Sequence, residues 1–377
     1  MSMKFTLLLI IAIASFYSFS QSVVRTISVN GQSRTFRLYV PSIYNANTSV
    51  PLVFNFHGYT SNAIEQELYG DFTEIADTAN FILIHPQGTD PGSGTFWNCF
   101  STVASSNFDY MFVEQMISTL SAEFNIDPLR IYSTGMSNGG FMSYDMACFA
   151  TTKFAAIASV TGSMIPQHVS LCNPNRHIPV MQIHGTNDPT VSYSGTGGIL
   201  TSTNIDSLMR FWVINNETSF VPIETAVPNV NLTDNCTALH YLWENNNDNA
   251  DVELFKIIGG MHTWPGTLFN SAGTNQDFSA SKEIWRFFSQ HSLDPSLLGV
   301  VDEQVLSLSS IDFFNKNLSI INQGINSIDL TVFDPMGKLI LEKNIEAKTA
   351  IELPINGISE GLFFVRFDNK IYKFIYY

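Results

Sequence analysis

The sequence predicts an α/β domain, a mostly parallel β-sheet with helices on both faces, followed by a small all-β sandwich. Three observations carry this. Short continuous apolar runs recur through the first three quarters of the chain, segments of helical spacing lie between them, and near residue 295 the helical spacing gives way to strand-length runs separated by Gly, Asn and Pro turns. With 377 residues, 45% hydrophobic and 13% aromatic, the chain can bury cores of that size.

Residues 1–20 read as a signal peptide, with Lys4 as the positive end, an uncharged apolar run over 5–17, and Ser18-Phe19-Ser20 ahead of Gln21. That run is shorter than the about 20 residues needed to cross a hydrocarbon core, which makes a membrane anchor the weaker reading. No other apolar run approaches it, so no membrane span is expected in the mature chain. Runs 23–29 and 35–40 flank Asn30-Gly31, a pair that tolerates positive φ, and predict a hairpin. Buried strands are expected at 52–56, 81–85, 130–133, 155–160, 180–184 and 252–258, too short and too continuous for surface helices. Helices are expected at 112–124, 141–149, 207–215 and 280–291, and residues 245–251 form a polar turn between strands 239–243 and 252–258. The expected domains are the α/β unit over 21–295, a linker over 296–304 and a β-sandwich over 305–377, with strands at 318–321, 327–333, 338–343, 350–353 and 362–367.

Lys and Arg number 18 against 33 Asp and Glu, net −15, which argues against a nucleic-acid partner. The four cysteines show no CxxC spacing and call for no metal. Two disulfides are expected, with Cys148–Cys172 and Cys99–Cys236 favoured among three connectivities.

Gly135-Met136-Ser137-Asn138-Gly139-Gly140 follows a predicted strand and precedes a helix. In that setting G-x-S-x-G is a turn so sharp that glycine must flank it, leaving the serine hydroxyl exposed above the sheet. A serine is a weak nucleophile until a base takes its proton, and the base needs an acid to fix its tautomer. Asp188, in His184-Gly185-Thr186-Asn187-Asp188 beyond a strand, is the expected acid, with Asp206 and Asp234 as competitors. Asp206 begins a helix and is expected to be its cap. His262, in Gly259-Gly260-Met261-His262-Thr263-Trp264, is the expected base, whereas His57 and His184 end buried strands and are expected to be structural. The oxyanion donors are expected to be the amides of Asn138 and of Tyr59, with Thr60 in reserve. Trp97, Phe96, Phe100, Trp264 and Tyr59 are candidate pocket residues for stacking on a phenolic or sugar ring.

These motifs, with His57-Gly58, Trp97-Asn98 and Asp127-Pro128-Leu129-Arg130-Ile131-Tyr132, resemble the polyhydroxybutyrate depolymerase and feruloyl esterase-like group of secreted α/β-hydrolases from about residue 25 to 292. The resemblance implies the α/β-hydrolase fold, with Ser137 as nucleophile, Asp188 as acid and His262 as base. Residues 329–339 and 357–366 resemble the C-terminal sorting domain of type IX secretion, although the basic cluster that often ends it is replaced by Lys373-Phe374-Ile375-Tyr376-Tyr377. A small carbohydrate-binding module is the rival for this tail.

The expected function is therefore a secreted serine esterase acting through an acyl-enzyme on feruloyl or acetyl esters of plant polysaccharides, with no cofactor and with secretion machinery as the tail's partner. An extracellular poly(3-hydroxybutyrate) or aliphatic polyester depolymerase would need the same triad. A catalytically silent carbohydrate-binding surface protein would have no use for all three residues.

Overall fold

The computed structural model describes residues 21–99, 107–196, 198, 201–269 and 271–297; between 310 and 376 it describes all but 315–316, 323–326, 335, 347–348, 355–360 and 368–369. The expected signal peptide, Phe100 and residues 298–304 of the expected linker lie outside these.

β1 (Val23–Val29) and β2 (Gln32–Tyr39) form the predicted hairpin, with Asn30 and Gly31 at φ 48° and 78° in a two-residue turn. β2 pairs antiparallel with β4 (Ile82–Pro86). From there six strands run parallel, in the order β4, β3 (Val50–Phe56), β5 (Ile126–Met136), β6 (Ala156–Val160), β7 (Val180–Gly185) and β10 (Val252–Ile258). β9 (Thr237–Trp243) and β8 (Ile223–Ala226) close the far side antiparallel. Every residue of β3, β4, β6 and β7 is buried, which is why these strands read as mostly apolar runs.

Alternate strand residues feed two cores, one on each face of the sheet. Leu52, Phe54 and Phe56 pack with α3 (Asn107–Glu123), α4 (Asn138–Phe149) and α6 (Ile205–Asn215). Val53, Leu83 and Ile183 pack with α2 (Thr73–Ala79) and α7 (Ala280–Phe288). The sequence reading did not register α1 (Ala63–Tyr69), α2, α5 (Pro166–Leu171) or β8, which span only four to seven residues each. That is too little for a hydrophobic period to repeat.

The tail holds two antiparallel sheets. One is β11 (Ser310–Phe314), β12 (Asn317–Asn322) and β15 (Thr349–Pro354); the other is β14 (Leu339–Ile345), β13 (Ile328–Phe333), β16 (Gly361–Phe367) and β17 (Lys370–Tyr376). Leu330, Val332 and Val365 supply buried side chains.

Cys148–Cys172 is bonded, joining the last turn of α4 to the residue that ends α5. The other expected disulfide does not form. Cys99 belongs to the core on one face of the sheet and Cys236 to the core on the other, so no side-chain rotation brings the two sulfurs together.

Three buried imidazoles give the fold a pH dependence. Burial is the largest cause that lowers His57, His85 and His291 from 6.5 to about 4. Between those values the unfolded chain binds protons that the folded chain refuses, so their stabilisation is complete above pH 6.5 and is lost as pH falls toward 4. The melting temperature is expected to drop from pH 7 to pH 5, and His85→Leu, which replaces an imidazole with no hydrogen-bond partner among the described residues, should make the drop shallower. The comparison with His85→Leu isolates this from Asp109 and Asp145, whose burial raises their pKa and acts in the opposite sense. Parallel pH profiles for the two proteins would refute the assignment to His85.

Candidate functional site

β3 pairs with β4 on one side and β5 on the other, so chain direction across the sheet reverses beside β3, and the loops leaving β3 and β5 diverge there. In open α/β sheets such points collect ligands. β5 ends at Met136 and α4 begins at Asn138, leaving Ser137 alone in the turn at φ 55°, ψ −119°. Its amide donates to the Val160 carbonyl at 2.8 Å, and its own carbonyl accepts from the Gly140 and Phe141 amides at 2.8 and 3.0 Å, so backbone bonds hold the strained conformation. A side chain on Gly139 would collide with the Phe56 carbonyl, and one on Gly135 would begin 2.5 Å from the same oxygen; the turn therefore closes against β3 only with glycine at both positions.

Asp188 lies just beyond β7 with its carboxylate fully buried. Oδ1 accepts from the Thr190 and Val191 amides at 2.8 and 2.9 Å, and Oδ2 is 2.7 Å from His262 Nδ1. Because Asp188 accepts at both oxygens, the imidazole proton sits on Nδ1 and Nε2 is left without one. His262 reaches this position from the loop after β10, where a side chain on Gly185 would collide with the Gly260 carbonyl.

Sequence reasoning missed a second imidazole on the same carboxylate. His184 Nε2 lies 3.5 Å from Asp188 Oδ2 and donates to the Val191 carbonyl at 2.8 Å, while its Nδ1 accepts from Gln182 Nε2 at 2.9 Å. Burial lowers its basicity. The only signal was the i, i+4 spacing of His184 and Asp188 across a glycine-containing turn. The competing carboxylates are engaged elsewhere: Asp206 is not the cap of α6, a place taken by Asn204 on the Ser207 amide, and accepts instead from Tyr193 Oη at 2.5 Å, while Asp234 accepts from the Cys236 and Gln276 amides at 2.8 and 2.7 Å.

Ser137 and His262 line one cavity of about 280 Å3, together with Gly58, Tyr59, Tyr69, Trp264 and Phe269. Among the described residues Ser137 Oγ and His262 make no hydrogen bond to one another, a contact that in unliganded sites commonly tightens only with substrate. Trp264 borders the cavity but is buried, with Nε1 donating to Ser281 Oγ at 3.2 Å. Trp97 does not border it. That indole is fully buried against Phe56 and donates to the His57 carbonyl at 2.9 Å, so a face free to stack on substrate is not available there.

The backbone donors divide clearly. Asn138 opens α4, and the first amides of a helix have no acceptor within it. Of the amides from 58 to 61, Gly58 faces Tyr69 Oη at 3.4 Å, Thr60 donates to the Thr95 carbonyl at 2.7 Å and Ser61 to the Gly58 carbonyl at 3.2 Å. Thr60 is thereby spent, and Tyr59 alone keeps an amide with no acceptor among the described residues.

A strained strand-turn-helix serine over a parallel sheet covered by helices on both faces defines the class, an α/β-hydrolase fold. Residues 27–272 match the family described as putative esterase, and the chain belongs to that family. Residues 313–375 match the family described as secretion system C-terminal sorting domain. The chain is similar to the bifunctional acetylxylan esterase/xylanase of Neocallimastix patriciarum (27% identical over 265 residues; 70% of this chain, 34% of that protein). It is also similar to feruloyl esterase B of Piromyces equi (26% over 230 residues; 59% and 41%) and to poly(3-hydroxyalkanoate) depolymerase C of Paucimonas lemoignei (29% over 164 residues; 43% and 39%). It thus spans about a third to two fifths of the length of these relatives. The acetyl xylan esterase from Aspergillus awamori shares the fold, with a TM-score of 0.54 and 16% identity over 71% of this chain and 99% of that one.

Proposed function

We propose that this protein is a secreted serine carboxylesterase that removes acetyl or feruloyl groups from plant polysaccharides. The observation that carries the reading is the strained Ser137 sharing one cavity with His262, whose Nδ1 is held by the buried Asp188. Ser137 Oγ attacks the ester carbonyl carbon while His262 Nε2 takes the hydroxyl proton. The resulting oxyanion is met by the Asn138 and Tyr59 amides; the C–O bond to the sugar then breaks as His262 returns the proton to the leaving alcohol. Water enters by the same steps and releases the acid. Asp188 keeps the imidazole in the Nδ1–H tautomer throughout.

The esterase unit would occupy residues 21–295, behind a signal peptide over 1–20, and the part from 305 would engage secretion machinery and deliver the enzyme outside the cell or to its surface; the sorting-domain match supports this. The acetylxylan and feruloyl esterase relatives support the substrate class. The depolymerase relative favours a second reading, hydrolysis of an aliphatic polyester by the same residues.

Side-by-side rates of residues 21–377 on acetylated xylan, methyl ferulate and a poly(3-hydroxybutyrate) suspension, with Ser137→Ala as blank, separate the two. Preference for either plant ester is expected. Preference for the polyester would replace the first reading with the second, and the absence of a Ser137-dependent rate on all three would overturn both.

A further inference from the structure

Nothing in the proposed chemistry uses Trp97, yet this residue is tied to both places from which an oxyanion donor would come, through its backbone to Asn138 and through its indole to His57. Toward α4, the Asn138 side chain reaches over to the backbone of Trp97: Asn138 Oδ1 accepts from the Trp97 amide at 2.7 Å, and Asn138 Nδ2 donates to the Trp97 carbonyl at 3.0 Å. Toward β3, Trp97 Nε1 donates to the His57 carbonyl at 2.9 Å, with the indole edge-on to Phe56 at 5.0 Å. Trp97 and Asn138 are both fully buried, so water competes for none of these bonds.

The hold on His57 is passed along the backbone. His57 Nε2 accepts from the Gly88 amide at 2.9 Å, which leaves the ring proton on Nδ1, 2.7 Å from the Gly58 carbonyl. Two successive carbonyls, those of His57 and Gly58, are therefore fixed from the buried side. In a trans peptide the N–H points opposite to the C=O of the same plane, so fixing the Gly58 carbonyl against the imidazole turns the Tyr59 N–H away from it, toward the cavity. The distance across the site is short, because a side chain on Gly58 would begin 3.4 Å from Ser137 Cβ.

We infer that Trp97 is a positioning residue that sets the separation of the Asn138 and Tyr59 amides, one bracket spanning both halves of the oxyanion site. This rests on the reading of Ser137 as nucleophile and of those two amides as donors. A preorganised pair of donors contributes to the rate only when both meet the developing charge together, so a bracket that slackens affects the transition state and leaves ground-state binding alone.

Trp97→Phe keeps an aromatic ring in the core and removes only the Nε1–H donor. In the full chain from residue 21 it is expected to lower kcat about 10- to 100-fold with KM within about twofold. Affinity for a boronic acid, whose tetrahedral adduct with Ser137 places an anionic oxygen between the donors, should fall by the same factor as kcat. Asn138→Ala, which leaves the Asn138 amide in place but cuts both bonds to the Trp97 backbone together with the 2.9 Å contact of Nδ2 with Cys99 Sγ, should reproduce this pattern. The double variant should lose no more than the worse single one, since both changes open the same bracket. Equal kcat in wild type and Trp97→Phe, a loss confined to KM, or losses that multiply in the double variant would each overturn the inference. If Trp97→Phe does not fold, the kcat, KM and boronic-acid values of Asn138→Ala decide it by the same criteria. A Ser137→Ala chain that retained its rate would instead bring down the site reading, and this inference with it.

Discussion

Ser137→Ala is expected to abolish ester hydrolysis, with turnover falling on the order of 10⁶-fold, as when the nucleophile of a serine triad is removed. The substitution deletes one oxygen and no structural contact. Ser137 is held by its amide on the Val160 carbonyl and by the Gly140 and Phe141 amides on its own carbonyl, and alanine keeps all three bonds. No hydrogen bond of its hydroxyl to another described side chain is lost, so the melting temperature should stay within a few degrees. Release of a chromogenic alcohol from an activated ester, measured beside a thermal melt, separates chemistry from folding. A variant with wild-type turnover would remove Ser137 from the mechanism. A wild-type chain with no turnover on any ester would instead favour the surface protein that keeps the fold for binding alone.

Asp188→Asn should cost about 10⁴-fold in turnover, in line with triads whose acid is made an amide. The structure supplies a reason particular to this chain. Two amides, from Thr190 and Val191, converge on Oδ1 and would keep the oxygen of asparagine at that end. The new NH2 group would then face His262 Nδ1 and, 3.5 Å away, the Nε2–H of His184. A donor now meets two donors, and the least costly relief is for His262 to move its proton to Nε2, the nitrogen that the proposed mechanism needs empty to deprotonate Ser137. Substrate affinity should change little. Turnover within tenfold of wild type would show that another group orients the imidazole.

Much of the fold was legible because burial writes itself directly into composition. β3, β4, β6 and β7 have both faces covered and so read as mostly apolar runs, and Asn30-Gly31 marked the hairpin because few other pairs adopt two positive φ values in succession. The short elements were not legible: α1 and α2 have seven residues each, and their places are set by a capping bond such as Asn62 on the Ile64 and Glu65 amides and by packing, neither of which leaves a period to read. In the candidate site, Ser137, Asp188 and His262 stood out because glycines mark each turn where backbone passes close to backbone. Trp97 was misread for the opposite reason. A tryptophan beside a loop has the same letter whether its ring faces substrate or its N–H is spent on a carbonyl, and only the fold distinguishes the two. The Cys99–Cys236 pairing failed likewise, since sequence does not say on which face of a sheet a thiol falls.

Those two thiols amount to a built-in stopwatch for opening. Alkylating reagents attack only the thiolate of an accessible cysteine. Cys99 and Cys236 are almost wholly buried, and burial pushes Cys99 up strongly and Cys236 to about 11, so the closed protein is doubly shielded. Labelling therefore waits on excursions that expose each sulfur. Cys99 lies beneath the start of α4, its Sγ 2.9 Å from Asn138 Nδ2, whereas Cys236 sits on the opposite face beside β9. The ratio of the two labelling rates would tell whether the layer carrying the Ser137 turn comes loose before the other layer or together with it.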